Sequence, residues 1–362
     1  KMIHIERTTT HHPCSIETAP FRLTSDSGDA SFFACGLYEL DEGSGKRFGA
    51  VSLYNQNGKE ISSLELQSGV LDMKWSDHQL AIALSDATLN LVEYQQDDDL
   101  SSLVPKTSIR EETYGLFLSL DWNNSLNFSN SPRIAVSTQL GGLQTYSVNP
   151  SGLQPDVHFP DAHMMDGQVM PTWITAFNPH SQSTIISGGD DMKLKLWDLR
   201  LGAAGPTTTV SKEHEAGVTA ADWHPSLPNV FATGSYDENI RIWDDRALRR
   251  PVITEKASGG LWRLKWRARE GRVGSRLVAA CMHGGLQVYN WSYGDESSTN
   301  DESKGPETYQ GALVPLSSFS NGQEGQLIYG LDTLAEDTEE SIKLAACSFY
   351  ENKLYIVTSS KI

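Results

Sequence analysis

The chain has 362 residues and a formal charge of −17, and it lacks the clustered Lys and Arg that a phosphate backbone requires; nucleic acid is disfavoured as a partner and a basic or cationic one favoured. Hydrophobic residues make up 38%, with nine Trp, twelve Tyr and eleven Phe, enough for a layered core, and no run approaches the ~20 apolar residues of a membrane span. Cys14, Cys35, Cys281 and Cys347 form no Cys-x-x-Cys pair, so neither a zinc cluster nor a disulfide framework is indicated; no cofactor is expected, and without a leader at the visible N-terminus the expected compartment is the cytoplasm.

Self-similarity organises the chain. Ser187-Gly188-Gly189-Asp190-Asp191 to Leu196-Trp197-Asp198 and Thr233-Gly234-Ser235-Tyr236-Asp237 to Ile242-Trp243-Asp244 copy each other at nearly the ~40 to 45-residue period of a WD40 propeller blade. Such a blade reads as an inner strand ending in an aromatic, two alternating strands about a tight turn, and an outer strand. In chain order, blade one begins near Ser15 and continues through Phe32 to Tyr38 and Phe48 to Asn55. Blade two takes Val70 to Trp75, Leu80 to Leu84 and Thr88 to Tyr94, and blade three Leu116 to Trp122, Arg133 to Ser137 and Gly142 to Val148.

Blade four holds His163, Ser187, Asp191 and Trp197. Blade five, the cleanest, runs through Val218 to Trp223, Val230 to Ser235, Asn239 to Trp243 and Val252 to Glu255, with His214, Thr233, Asp237 and Trp243 in the matching places. Both quartets are assigned to a hydrogen-bonded tetrad, hence to structure. Blade six takes Leu261 to Trp266, Arg276 to Cys281 and Leu286 to Trp291; blade seven takes Leu327 to Leu331, Lys343 to Cys347 and Leu354 to Thr358. Little chain remains for a last strand, so Ile3 to Thr9 is expected to supply it and close the ring. The expected fold is all-β, a seven-bladed WD40 β-propeller forming one monomeric domain over 1–362, with mobile acidic loops at 294–308 and 334–340.

No Gly-x-Ser-x-Gly elbow, phosphate-binding Gly loop or His-Glu-x-x-His occurs. Catalytic groups would have to come from turns of different blades on one face. Trp173 precedes Phe177 by four residues and Trp262 precedes Trp266 by four, whereas the equivalent residues are Leu71, Leu118 and Thr219 in blades two, three and five. Two indoles are therefore expected at the channel mouth, where packing does not demand them. The residues before the tight-turn position, Asp190, Tyr236, Met282 and Tyr350, reach toward the same face, with Arg263, His283 and the Gly259-Gly260 amides nearby. Cys281 and Cys347 sit on second strands and read as core thiols.

Leu71-Asp72-Met73-Lys74-Trp75, Gly260-Leu261-Trp262-Arg263-Leu264-Lys265-Trp266, Ala280-Cys281-Met282-His283 and Ala346-Cys347-Ser348-Phe349-Tyr350, with the two copied segments, resemble the eukaryotic WD-repeat diphthine methylesterases of diphthamide biosynthesis. The pattern departs at Glu351, where Asp is expected, and at Leu331-Asp332-Thr333, where an Asp-Trp pair is usual. The resemblance implies a hydrolase that removes the methyl ester of methylated diphthine on translation elongation factor 2. That substrate places a quaternary ammonium beside the ester, and such cations bind aromatic cages. Trp173, Trp262, Tyr236 and Tyr350 are the expected cage, with Asp190 adding charge complementarity. His283 is the expected base, and Arg263 or the Gly259-Gly260 amides the expected oxyanion donors; Cys281 is the alternative, a covalent nucleophile. A reading of another class is a non-catalytic WD40 adaptor that presents a substrate to a separate enzyme.

Overall fold

The computed structural model describes residues 2–22, 31–97, 100–123, 131–268, 275–293, 309, 311–323, 325–334 and 341–360. Seven four-stranded antiparallel sheets follow one another in the chain, each a meander from inner to outer strand. Blade one is built from His12–Thr18, Phe32–Asp41, Lys46–Asn55 and Glu60–Leu66. Blade four is built from Thr172–Phe177, Thr184–Gly189, Leu194–Asp198 and Thr208–Val210. Blade six uses Arg263–Ala268, Ser275–Ala280, Leu286–Tyr293 and Gly311–Phe319, its inner strand starting two residues later than expected.

Blade seven joins Ile328–Thr333, Ser341–Ser348 and Lys353–Ser360 to Met2–Thr8, which pairs with Lys353–Ser360 from Met2 opposite Ser359 to Thr8 opposite Lys353. The two ends of the chain thus share one sheet, and the expected closure of the ring is found. Pairing hides the edge that an unclosed last blade would present.

The alternation within each strand places apolar side chains on both sheet faces, and every neighbouring pair of blades shares a buried cluster. Phe177, Ile185 and Trp197 of blade four meet Ala135, Leu143 and Phe159 of blade three. Ile174, Ile186 and Leu194 on its other side meet Trp223, Phe231 and Trp243 of blade five. Leu334, expected to begin a mobile loop, is fully buried against blade one, and its N–H donates to the Lys343 carbonyl at 2.8 Å. The rest of both expected acidic loops, 294–308 and 335–340, lies outside the described residues. Among the described residues, no helix is long and apolar enough to cross a membrane.

The two tetrads differ. In blade four His163 bonds Asp191 through Nδ1 and Ser187 through Nε2, both at 2.7 Å, and Trp197 Nε1 donates to Ser187 Oγ at 2.8 Å. In blade five His214 bonds Thr233 Oγ1 at 3.0 Å and Trp243 Nε1 donates to the same hydroxyl at 2.8 Å, but the expected His214–Asp237 link is missing. Arg241 explains it: its guanidinium grips Asp237 with two hydrogen bonds, at 3.1 and 2.8 Å. Blade four has Lys195 there, and its ammonium reaches the Ala162 carbonyl at 2.5 Å, so Asp191 Oδ1 stays available to the imidazole and to the Lys193 N–H. A planar fork matches a carboxylate in a way that an ammonium does not.

Candidate functional site

One face of the ring carries the turns between second and third strands and the first residues of the inner strands. Near that end the register of the inner strand slips between Pro13 and Ser15, Val70 and Asp72, Phe117 and Ser119, Thr172 and Ile174, Val218 and Ala220, and Ile328 and Leu331. A bulge drops its extra residue from the ladder and re-aims the side chain. The residues so released are Cys14, Leu71, Leu118, Trp173, Thr219 and, in blade seven, Tyr329 with Gly330. Gly330 cannot be larger: a Cβ would lie 2.6 Å from Cys347 Sγ and 2.9 Å from Ile16 N. Trp262 takes the equivalent place in blade six, just ahead of Arg263–Ala268, its N–H donating to the Ala280 carbonyl at 2.9 Å.

Thr219 is smaller than the indoles at the equivalent places of the two flanking blades. Its hydroxyl donates to the Leu261 carbonyl, and the indoles of the two flanking blades meet beside it, with Trp173 and Trp262 centroids 5.9 Å apart. Tyr236 stands 6.3 Å from each. Gly217 leaves room for this arrangement, since a Cβ there would fall 2.6 Å from Asp190 Oδ1 and 3.3 Å from the Tyr236 ring. Asp190 Oδ1 accepts the Trp173 Nε1–H at 3.1 Å. Rings at these separations are in edge contact. The triangle therefore packs against Trp262 from one side.

The open space lies beyond Trp262. A cavity of about 500 Å³ is walled by Trp262, Tyr329, Phe349, Tyr350 and Tyr38, with Leu71, Leu116 and Cys14 completing the apolar lining and His12 and Glu42 adding polar groups. The aromatic contacts continue from Trp262 to Tyr329 at 4.6 Å, Tyr329 to Phe349 at 5.3 Å and Phe349 to Tyr350 at 5.1 Å. His12 stacks on Phe349 at 4.7 Å and 19°. Tyr350 is 65% exposed, which leaves its ring free to cover an occupant. Burial pushes the Tyr329 phenol up to about 12, so it remains neutral at physiological pH.

The expected site residues therefore divide. Trp262 and Tyr350 face the cavity, while Trp173, Tyr236 and Asp190 support Trp262 from behind. Arg263, expected at an oxyanion, is instead almost wholly buried in the channel, where Nη2 donates to Asp72 Oδ1 at 2.6 Å and ties blade six to blade two. His283 is exposed on its turn, with Nδ1 3.1 Å from the Gln326 carbonyl oxygen, and is not part of the cavity wall. Gly259 packs against the blade-six turn, with the Cys281 carbonyl 2.5 Å from where its Cβ would be. Cys281 and Cys347 are fully buried, and desolvation pushes both thiols up to about 12. Cys14 reaches the cavity but is also held protonated by burial, its Sγ donating to the Val70 carbonyl at 2.8 Å.

Tyr329, Phe349, Tyr38 and His12 are absent from the expected set. Tyr329 precedes Thr333 by four residues, as Trp262 precedes Trp266, so the same spacing rule finds it. Blade seven ends its inner strand on Thr, however, and offers no aromatic to anchor the count. His12 carries no comparable mark, because the inner strand of blade one ends on Thr18, and its place opposite Tyr38 is set by pairing with the second strand.

Residues 162–198 and 205–244 match the family description "WD domain, G-beta repeat". Fold and site together define a WD-repeat β-propeller with an aromatic cavity at one mouth of its channel. The chain is 30% identical to a diphthine methyltransferase homolog of Dictyostelium discoideum over 94% of this chain and 95% of that protein. It is 32% identical to diphthine methyltransferase of Homo sapiens, over 76% of this chain and 68% of that protein, and 25% identical to the Schizosaccharomyces pombe protein of that name over 88% of each. The chain belongs to the diphthine methyltransferase family. That agrees with the resemblance read from the sequence as to family; the relatives' name speaks of a transferase and not an esterase.

Proposed function

We propose that this protein acts in diphthamide biosynthesis, in the cytoplasm, by hydrolysing the methyl ester of methylated diphthine on translation elongation factor 2 to diphthine and methanol. The observation that carries the reading is the cavity walled by Trp262, Tyr329, Phe349 and Tyr350. A quaternary ammonium is attracted to the faces of such rings, most strongly to Trp, by about 0.5–2 kcal/mol each. Its volume of about 500 Å³ suits one modified side chain. The net charge of −17 adds long-range attraction for a cationic group. With Cys14 and Cys281 both held as thiols, water is the better candidate nucleophile.

The relatives' name favours a second reading, transfer of a methyl group from a donor onto diphthine. Purified protein incubated with the methyl-esterified factor distinguishes the outcomes. Hydrolysis removes one methylene mass from the factor and releases methanol in equal amount. A gain of one methylene mass by the unesterified factor supplied with a sulfonium methyl donor supports methyl transfer instead, and no change of mass in either incubation contradicts both and leaves the adaptor reading.

A further inference from the structure

We propose that His12 is the proton acceptor of the aromatic cavity; this rests on the ester-hydrolysis reading above. Among the described residues His12 is the one imidazole in the cavity wall. It opens the inner strand of blade one opposite Tyr38, and its ring is fixed on three sides. Phe349 stacks beneath it at 4.7 Å, and Tyr350 meets it edge-on at 6.3 Å. Nδ1 lies 2.9 Å from the Phe349 carbonyl oxygen.

A carbonyl oxygen only accepts, so Nδ1 carries the hydrogen and Nε2 is left with its lone pair. Glu39 stands 3.9 Å from Nε2 and 3.6 Å from His11 Nδ1, placing a carboxylate beside the ring where positive charge would arise. Backbone lock, free acceptor nitrogen and adjacent carboxylate are the elements of an oriented general base.

The step balances without any further reactant. Water oxygen bonds to the ester carbonyl carbon as one water proton passes to His12 Nε2. The carbon–methoxy bond of the tetrahedral intermediate then breaks, and the departing oxygen takes the proton back from Nε2. Methanol leaves, the carboxylic acid stays on the substrate, and the imidazole is regenerated.

Glycine betaine methyl ester, which joins a trimethylammonium to a methyl ester, serves as the small probe beside the methyl-esterified factor. His12→Gln is expected to lower kcat by about 10²- to 10⁴-fold with little change in KM. Imidazole added to His12→Ala is expected to restore part of the turnover, a rescue that a merely structural histidine does not show. Retained probe binding, read by calorimetric titration, and an unchanged thermal midpoint establish that the variants are folded. Wild-type kcat in His12→Gln, or a kcat loss confined to His283→Ala, overturns the assignment while leaving the esterase reading intact. A wild-type protein that turns over neither ester sinks the esterase reading, and His12 with it.

Discussion

Trp262 is where the separate observations meet. It is in ring contact with Trp173 and Tyr236 on one side and Tyr329 on the other, and it forms the wall between a packed cluster and an open cavity. Trp262→Ala is expected to raise the KM for a quaternary-ammonium ester by about 2- to 30-fold, from the range of a single cation–π contact, with kcat little changed. Steady-state kinetics on glycine betaine methyl ester measure both terms; a kcat loss at constant KM contradicts a binding role. The indoles at 173 and 262 were legible because each stands four residues before an inner-strand aromatic. Their division of labour was not, since it depends on Thr219 being small enough for them to meet. A bulge is a property of two paired strands, and one strand's residues do not display it.

At the scale of the blade, the copied segments are alike in sequence and unlike in bonding. Burial, then the positive charge of Arg241, drives His214 down to about 3, while nearby Asp237 acts in the opposite direction. An unfolded histidine takes its proton near pH 6.5, so between that pH and about 3 the unfolded state binds the extra proton and stability rises with pH. The contribution is complete above about pH 6.5 and is lost on acidification, by about 2 kcal/mol at pH 5. Urea unfolding of the parent and of His214→Gln at pH 7 and pH 5 tests this: the parent should lose about 2 kcal/mol more than the variant. Equal losses contradict it. Residue identity alone announced a tetrad in both blades. The competition for Asp237 could be seen only once Arg241 was placed beside it, although the Lys-to-Arg difference between the copies was visible.

Across the whole ring, the channel carries charge from blade to blade. Arg263 pairs with Asp72 and Lys265 with Glu17 at 2.7 Å, and Lys74 also engages Glu17. Burial pushes the Asp72 carboxyl up, but Arg263 and Lys74, helped by the Leu120 N–H, outweigh it and hold it below the usual range. Toward the opposite mouth, desolvation raises Asp121 to about 6 and Asp222 to about 7 against the pull of those lysines. Asp72→Asn leaves the Arg263 charge buried without its partner and is expected to cost about 3–5 kcal/mol, whereas Asp72→Leu with Arg263→Met should recover much of the loss. Denaturant unfolding of the three proteins checks it, and a double variant no more stable than Asp72→Asn contradicts it. The seven-fold plan was readable from the repeat and strand alternation, and its closure by the N-terminal strand from the little chain left after the third strand of blade seven. A pair 191 residues apart was not, because it exists only when the ring is shut.

In the proposed reaction water, acting at the aromatic mouth, cleaves the acyl–oxygen bond of a cationic methyl ester. Turnover of the methyl-esterified factor in water enriched in the heavy oxygen isotope tests it most directly. Hydrolysis at the acyl carbon places one heavy oxygen in the product carboxylate and none in the methanol; an unlabelled carboxylate, with the methyl group on another acceptor or the label in methanol, rules this reaction out.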